Sequence, residues 1–181
     1  MKNLALHILD IVQNSISADA SLIKIRIEEH IPEDCLKLVI EDNGKGMEKE
    51  FLMRVADPYT TTRTSRKVGM GLALLKQNAE QAEGGLQVSS EPGKGTKVEA
   101  IFRHSHIDRP ALGDIVGVIV LLAAGSPNCD FYYVHQKDGK SYIFDTREIK
   151  NILDDIPISD TRIRLSMREL IYENLKEIHV L

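Results

Sequence analysis

The sequence predicts an α/β protein, an α+β two-layer sandwich in which helices cover a mixed sheet, with a small C-terminal α+β extension. Three observations predict it. Apolar residues recur at helical spacing over residues 4–16, where Leu4, Ile8, Ile11, Val12 and Ile16 share one face. Stretches of alternating apolar and polar residues then come in pairs, in the order α-β-β-α-β-β along residues 4–102. Further on, Asp138-Gly139 between two aromatic-rich runs marks a tight hairpin.

Each element follows from its local signals. Residues 23–28 and 36–40 alternate, with IPED between them as a turn, and read as a strand pair. Residues 51–54 can form a short helix. Residues 57–70 are rich in Thr, Arg, Lys and Gly and read as a long loop. The helical pattern of residues 72–83 stops at Gly84-Gly85, and LQVSSEPGKGTKVEAIF gives two strands around a PGKG turn. After Arg103 the character changes: HSHIDRP reads as a connector, so a boundary is expected between residues 1–103 and 104–181. An apolar segment over residues 112–124, the Asp138-Gly139 hairpin, and a terminal helix opened by a Ser166/Glu169 capping box complete the chain.

Composition narrows the function. With 181 residues, 43% of them apolar, the chain can build a sizeable core. Its net charge of −4 supplies no global positive field, so nucleic-acid binding is not expected. No apolar run reaches the roughly 20 residues that span a bilayer, and the N-terminus is a poor signal peptide, so a cytoplasmic protein away from the membrane is expected. Cys35 and Cys129 lack any CxxC or CxxH context and read as reduced thiols.

Four stretches could carry chemistry. At about 100° per residue, the first helix puts His7, Asp10 and Asn14 in one polar stripe. A solvated helix face is the default for such a stripe. The chemical alternative is that Asn14 offers its side-chain oxygen to a hard divalent ion while Asp10 orients or deprotonates a nucleophile. EDNGKGM, residues 41–47, ends a strand with glycines that permit close backbone approach, a freedom that ordinary turns also use. In KVGMGLALL, Gly71 stands at the mouth of a helix whose free N–H groups could face an anion. EPGKGTKVEAIF is a glycine turn entering a strand. No G-x-x-x-x-G-K-[ST], G-x-G-x-x-G, H-E-x-x-H or G-x-S-x-G motif occurs, which disfavours the common nucleotide folds, metalloproteases and hydrolases.

Taken in order, DIVQNSISADAS, EDNGKGM, DPYTTTR, VGMGLAL and PGKGTKVEAIF resemble the N, G1, F, G2 and G3 boxes of the GHKL ATPase superfamily, the Bergerat fold of gyrase, MutL and histidine kinases. Five such elements in the right order over about the first hundred residues carry the resemblance. It implies ATP held between helices and sheet under a lid. Asn14 matches the asparagine that binds Mg2+ between the phosphates, and Asp10 matches the acidic residue that activates water or an acceptor, as Asp where Glu is more usual. Asp42 matches the aspartate that accepts from the adenine amino group. Gly44 and Gly46 would let the backbone approach the nucleotide, with Met47 beside the base or ribose. Gly69, Gly71 and Leu72 fall in the G2 box, Thr96 matches the last-box hydroxyl, and Thr61 lies in the basic, hydroxyl-rich lid expected to contact phosphate.

The resemblance implies an ATP-dependent protein kinase or ATPase. Only a handful of residues precede the N box, and no internal phosphoacceptor is seen, so a stand-alone kinase module acting on a separate protein is the first expectation. SISADAS lacks the Lys-Tyr pair frequent after the N-box asparagine in sensor kinases and is closer to the MutL and gyrase wording. A slow ATPase gating a homodimer, or a nucleotide sensor without catalysis, are the alternatives.

Overall fold

The computed structural model describes residues 3–50, 52 and 71–181. The expected short helix at residues 51–54 falls mainly, and the loop at 57–70 wholly, outside the described residues. Thr61 and Gly69 lie there too.

Helix α1 (Leu4–Ser17) opens where the Asn3 side chain accepts the Leu6 N–H at 3.0 Å, which satisfies one of the free donors of its first turn. Strands β1 (Leu22–His30) and β2 (Cys35–Asp42) follow. Next come α2 (Gly71–Gln81), β3 (Gly85–Glu91) and β4 (Gly95–Arg103). The C-terminal part supplies α3 (Ile115–Gly125), β5 (Asp130–Lys137), β6 (Lys140–Asp145), α4 (Thr146–Leu153) and α5 (Thr161–Glu177).

One six-stranded sheet runs in the order β3-β4-β2-β1-β5-β6. All neighbours are antiparallel except β1 and β5, which run parallel from Leu22 opposite Asp130 to Glu29 opposite Lys137. Alternate residues of the central strands are buried: Ile23, Ile25 and Ile27, then Leu36, Leu38 and Ile40, then Val98, Ala100 and Phe102, then Phe131 and Tyr133. Their neighbours Lys24, Arg26, Lys37, Lys97 and Glu99 occupy the opposite, polar face. Helices α1, α2, α3 and α5 pack against one another and cover the buried face. The boundary expected near residue 103 coincides with the end of β4. Beyond it, β5 and β6 extend the same sheet and contribute to the same apolar core.

Two local expectations change. The stripe of His7, Asp10 and Asn14 is not a solvated outer face: α1 is flanked by α2 and α3, His7 is 0% exposed, and Asp10 and Asn14 are half-buried. Helical periodicity identifies which residues share a face but not how many neighbours a helix has. The last helix begins five residues before Ser166, where Asp160 accepts the Arg162 N–H at 2.8 Å; Ser166 is exposed inside the helix. Both residues can cap, and the earlier one prevails because the first turn it adds places half-buried Ile163 against the core. At the hairpin, Asp138 and Gly139 both take positive φ (46° and 84°), as a type I′ turn requires.

Candidate functional site

A cavity of about 670 Å3 opens between the C-terminal half of α1, the end of β2, the start of α2 and the start of β4. Ile11, Ile40, Met47, Leu72 and Val98 give it apolar walls, and Asn14, Ser15, Asp42 and Thr96 are polar groups on the same lining. A mostly apolar cleft of this size with a few convergent polar groups is the usual form of a small-molecule site.

Asp42 sits at the cavity floor because the alternation of β2 turns Leu36, Leu38, Ile40 and Asp42 toward the helices, and it is 9% exposed. Its carboxylate is held from three directions. Oδ2 accepts from the Ser15 hydroxyl at 2.6 Å, and Oδ1 accepts from the Gly44 N–H at 2.9 Å and the Thr96 N–H at 3.3 Å. A carboxylate has about four lone-pair sites, so these three donors leave room for one more. The cavity therefore presents a fixed acceptor, suited to an amino group and repulsive to a carbonyl.

The loop after Asp42 is fastened on both sides. Asn43 accepts the N–H groups of Ser21 and Leu22 at 2.9 Å each and donates to Ser21 Oγ, so this residue of the motif anchors the loop to β1. The Lys45 N–H donates to the Ala18 carbonyl, and the Lys45 carbonyl accepts from Gly93. Gly46 takes φ +66°, and a Cβ there would run into the Glu91 carbonyl, so glycine is required. Met47 N–H donates to Ser90 Oγ at 2.8 Å, and Ser90 Oγ lies 2.9 Å from Thr96 Oγ1, which ties the loop to the β3–β4 hairpin.

The structure thus brings Asn14, Asp42, Gly46, Met47, Leu72 and Thr96 together around one cavity, with Gly44 buried behind Asp42. Asp10 lies one turn before Asn14 but is not on that lining. Its Oδ2 is buried with no hydrogen-bond partner among the described residues, pressed against Gly71 so closely that a Cβ on Gly71 would collide with it. Gly71 is needed for this contact, not for its φ.

Ser15 lines the cavity and holds Asp42, and the motifs did not single it out. The signal was present: Ser15 continues the apolar face Leu4, Ile8, Ile11, and a hydroxyl in a buried row needs a partner. Lys45 and Glu48 also line the cavity. Among the described residues no group of three or more His, Cys, Asp or Glu could hold a metal ion.

A second polar cluster lies at the other end of β1. Glu29 accepts from His135 Nε2 at 2.8 Å and His104 Nε2 at 2.9 Å, and Tyr133 Oη lies 2.7 Å from His135 Nδ1. Burial works against the Glu29 carboxylate, but the bonds to His135 and His104 outweigh it and hold its pKa down at about 2. The cluster joins β1, β5 and the connector, far from the cavity, and secures the C-terminal part to the rest.

Comparison with known proteins agrees with this architecture. Residues 2–106 match the family model described as "Histidine kinase-, DNA gyrase B-, and HSP90-like ATPase". The chain is 37% identical over 89 residues to "Sensor protein kinase FleS" of Pseudomonas aeruginosa, covering 49% of this chain and 22% of the relative. It is 35% identical over 96 residues to "Signal transduction histidine-protein kinase AtoS" of Escherichia coli, covering 52% and 16%. The chain thus spans less than a quarter of the length of these relatives. Among solved structures, "Aquifex aeolicus MutL ATPase domain complexed with ADP" superposes with a TM-score of 0.54 at 14% identity, over 94% of this chain and 70% of that one. The N-terminal domain of a DNA repair protein gives a TM-score of 0.60 at 17% identity, over 93% and 57%. At such identity the likeness is one of fold, and it includes β5, β6 and the helices around them. With more than half of its residues matched by the family model and the sheet, helices and cavity arranged as described, the chain belongs to the histidine kinase-, DNA gyrase B- and HSP90-like ATPases.

Proposed function

We propose that the cavity binds ATP and that the γ-phosphoryl group passes to a side chain of a separate protein. The observation that carries this reading is the Asp42 carboxylate, fixed by Ser15, Gly44 and Thr96 with one acceptor position left for the adenine amino group. The apolar walls suit the faces of a purine, and Asn14 stands on the same lining, four residues from Asp10. Asn14 fits magnesium as a single carboxamide oxygen on an ion that keeps its waters and the nucleotide phosphates as its other ligands. Bound there, the ion would neutralise charge on the phosphates.

In the transfer, the acceptor side chain attacks the γ-phosphorus, the bond to the β,γ-bridging oxygen breaks and ADP leaves. Asp10 takes the proton the acceptor releases. The sensor kinases to which about half of the chain is 35–37% identical support transfer to protein over hydrolysis. Incubation of the purified chain with γ-labelled ATP and fractionated proteins of its source cell tests this: a labelled protein that disappears with Asp10→Asn is expected, and its absence sinks the kinase reading.

The likeness of fold to a MutL ATPase domain over 94% of the chain favours a second reading, slow ATP hydrolysis that gates a homodimer. Phosphate release without any labelled protein, together with ATP-dependent dimerisation, would select it.

A further inference from the structure

This inference rests on the reading of Asp10 as the group that works at the γ-phosphate. Two buried polar atoms three residues apart on α1, His7 Nδ1 and Asp10 Oδ2, have no hydrogen-bond partner among the described residues. Both meet the same residue of α2. Asp10 presses on Gly71, and the Gly71 backbone lies close enough to His7 to favour a proton on the ring without making a bond of ordinary geometry.

The two atoms are complementary. His7 Nε2 lies 2.9 Å from the Asn78 amide nitrogen, which can only donate, so Nε2 accepts and the proton of the neutral ring is on Nδ1. Burial keeps the ring neutral by pushing the His7 pKa down to about 4. A donor fixed in direction therefore faces the same interface as a carboxylate oxygen that lacks a donor. Leu72, next to Gly71, lines the cavity, so a ligand that fills the cavity acts on the residue beside the one that both side chains meet.

We propose that His7 is a positioning residue for Asp10: its Nδ1–H, aimed by the Asn78 amide, takes Asp10 Oδ2 as acceptor when ATP fills the cavity, and so turns the other carboxylate oxygen toward Asn14. Without that donor the carboxylate is free to rotate away from the acceptor group it must deprotonate. The loss appears in turnover and not in ATP affinity, because Asp42, the proposed adenine contact, is held by Ser15, Gly44 and Thr96 and not by His7 or Asp10.

Two substitutions separate this role from a structural one. Asparagine can place an N–H where Nδ1 stands, whereas glutamine reaches the Nε2 position and leaves Nδ1 empty. In transfer of γ-labelled phosphoryl from ATP to the protein that becomes labelled, or in steady-state phosphate release if none does, His7→Asn should retain kcat to within about 3-fold, and His7→Gln should lose about 10- to 100-fold, with KM for ATP unchanged in both. The reverse order, which would mean that only the Asn78 contact matters, overturns the inference, as does an equal effect of the two. Where a variant does not fold or turnover is too slow to follow, the imidazole 15N spectrum of the unaltered chain decides. An Nδ1–H that becomes slowly exchanging and moves downfield with a non-hydrolysable ATP analogue supports the pairing, and an unchanged signal overturns it. Failure of the unaltered chain to bind ATP in calorimetry would instead overturn the parent reading, and this inference with it.

Discussion

The Ser15 hydroxyl reaches from the buried face of α1 to Asp42 at the end of β2 and donates to its carboxylate at 2.6 Å. The short bond fixes the rotation of the side chain that, on the proposed reading, would choose between adenine and guanine. Base selection would then depend on a helix–strand contact as well as on the aspartate itself. Ser15→Ala should weaken ATP binding by about 1–2 kcal/mol, or roughly 5- to 30-fold, and should narrow the preference over GTP. Competition titration of the two nucleotides against a fluorescent ATP analogue checks both effects.

Gly71 fits only because it lacks a side chain beside Asp10. Gly71→Ala should destabilise the fold by about 1–3 kcal/mol through overpacking of the α1–α2 interface. Adding Asp10→Ala should recover most of that loss. Denaturant unfolding of the two single variants and the double variant reads the coupling, and simple additivity would contradict the contact.

Glu29 supplies an acid-sensitive tie. Its pKa falls from 4.5 to about 2 on folding, so the unfolded chain binds the proton first as pH drops. The stability it contributes is complete above pH 4.5 and is lost as pH falls toward 2, an effect on the order of 3 kcal/mol. Glu29→Gln should lower stability at neutral pH, with the difference from the unaltered chain shrinking across that window. A constant difference in unfolding free energy from pH 5 to pH 2 would contradict this.

His7 gives a window at higher pH with the same sign. Burial lowers its pKa from 6.5 to about 4, so the unfolded chain takes up a proton that the folded chain refuses. Stability should therefore be complete above pH 6.5 and decline toward pH 4. Replacing His7 by Gln should remove that part of the slope, measured as the melting temperature against pH.

Much of the fold was legible because its signals are local. The apolar row Leu4, Ile8, Ile11, the alternation of β1, β2, β4 and β5, and the Asp138-Gly139 turn each follow from neighbouring residues. Asn14, Asp42 and Thr96, which the resemblance of their motifs and no local pattern put at one site, line one cavity. What stayed hidden depends on contacts between distant segments. That β5 pairs parallel with β1, and so continues the sheet past Arg103, is set by Ile23, Ile25 and Ile27 finding Phe131, Tyr133 and His135, which no local pattern encodes. The burial of His7 depends on α2 and α3 flanking α1. The Ser15–Asp42 bond spans 27 positions and shows in the sequence only as a hydroxyl in an apolar row.

On the proposed reading, Asp42 makes this cavity a site for adenine nucleotides. Isothermal titration of the chain with ATP and with GTP in the presence of magnesium, repeated on Asp42→Asn, tests it most directly. Measurable ATP binding, GTP binding weaker by about 100-fold or more, and a loss of at least about 10-fold in ATP affinity on substitution are expected. No ATP binding, or equal affinity for the two nucleotides that Asp42→Asn leaves unchanged, would contradict it.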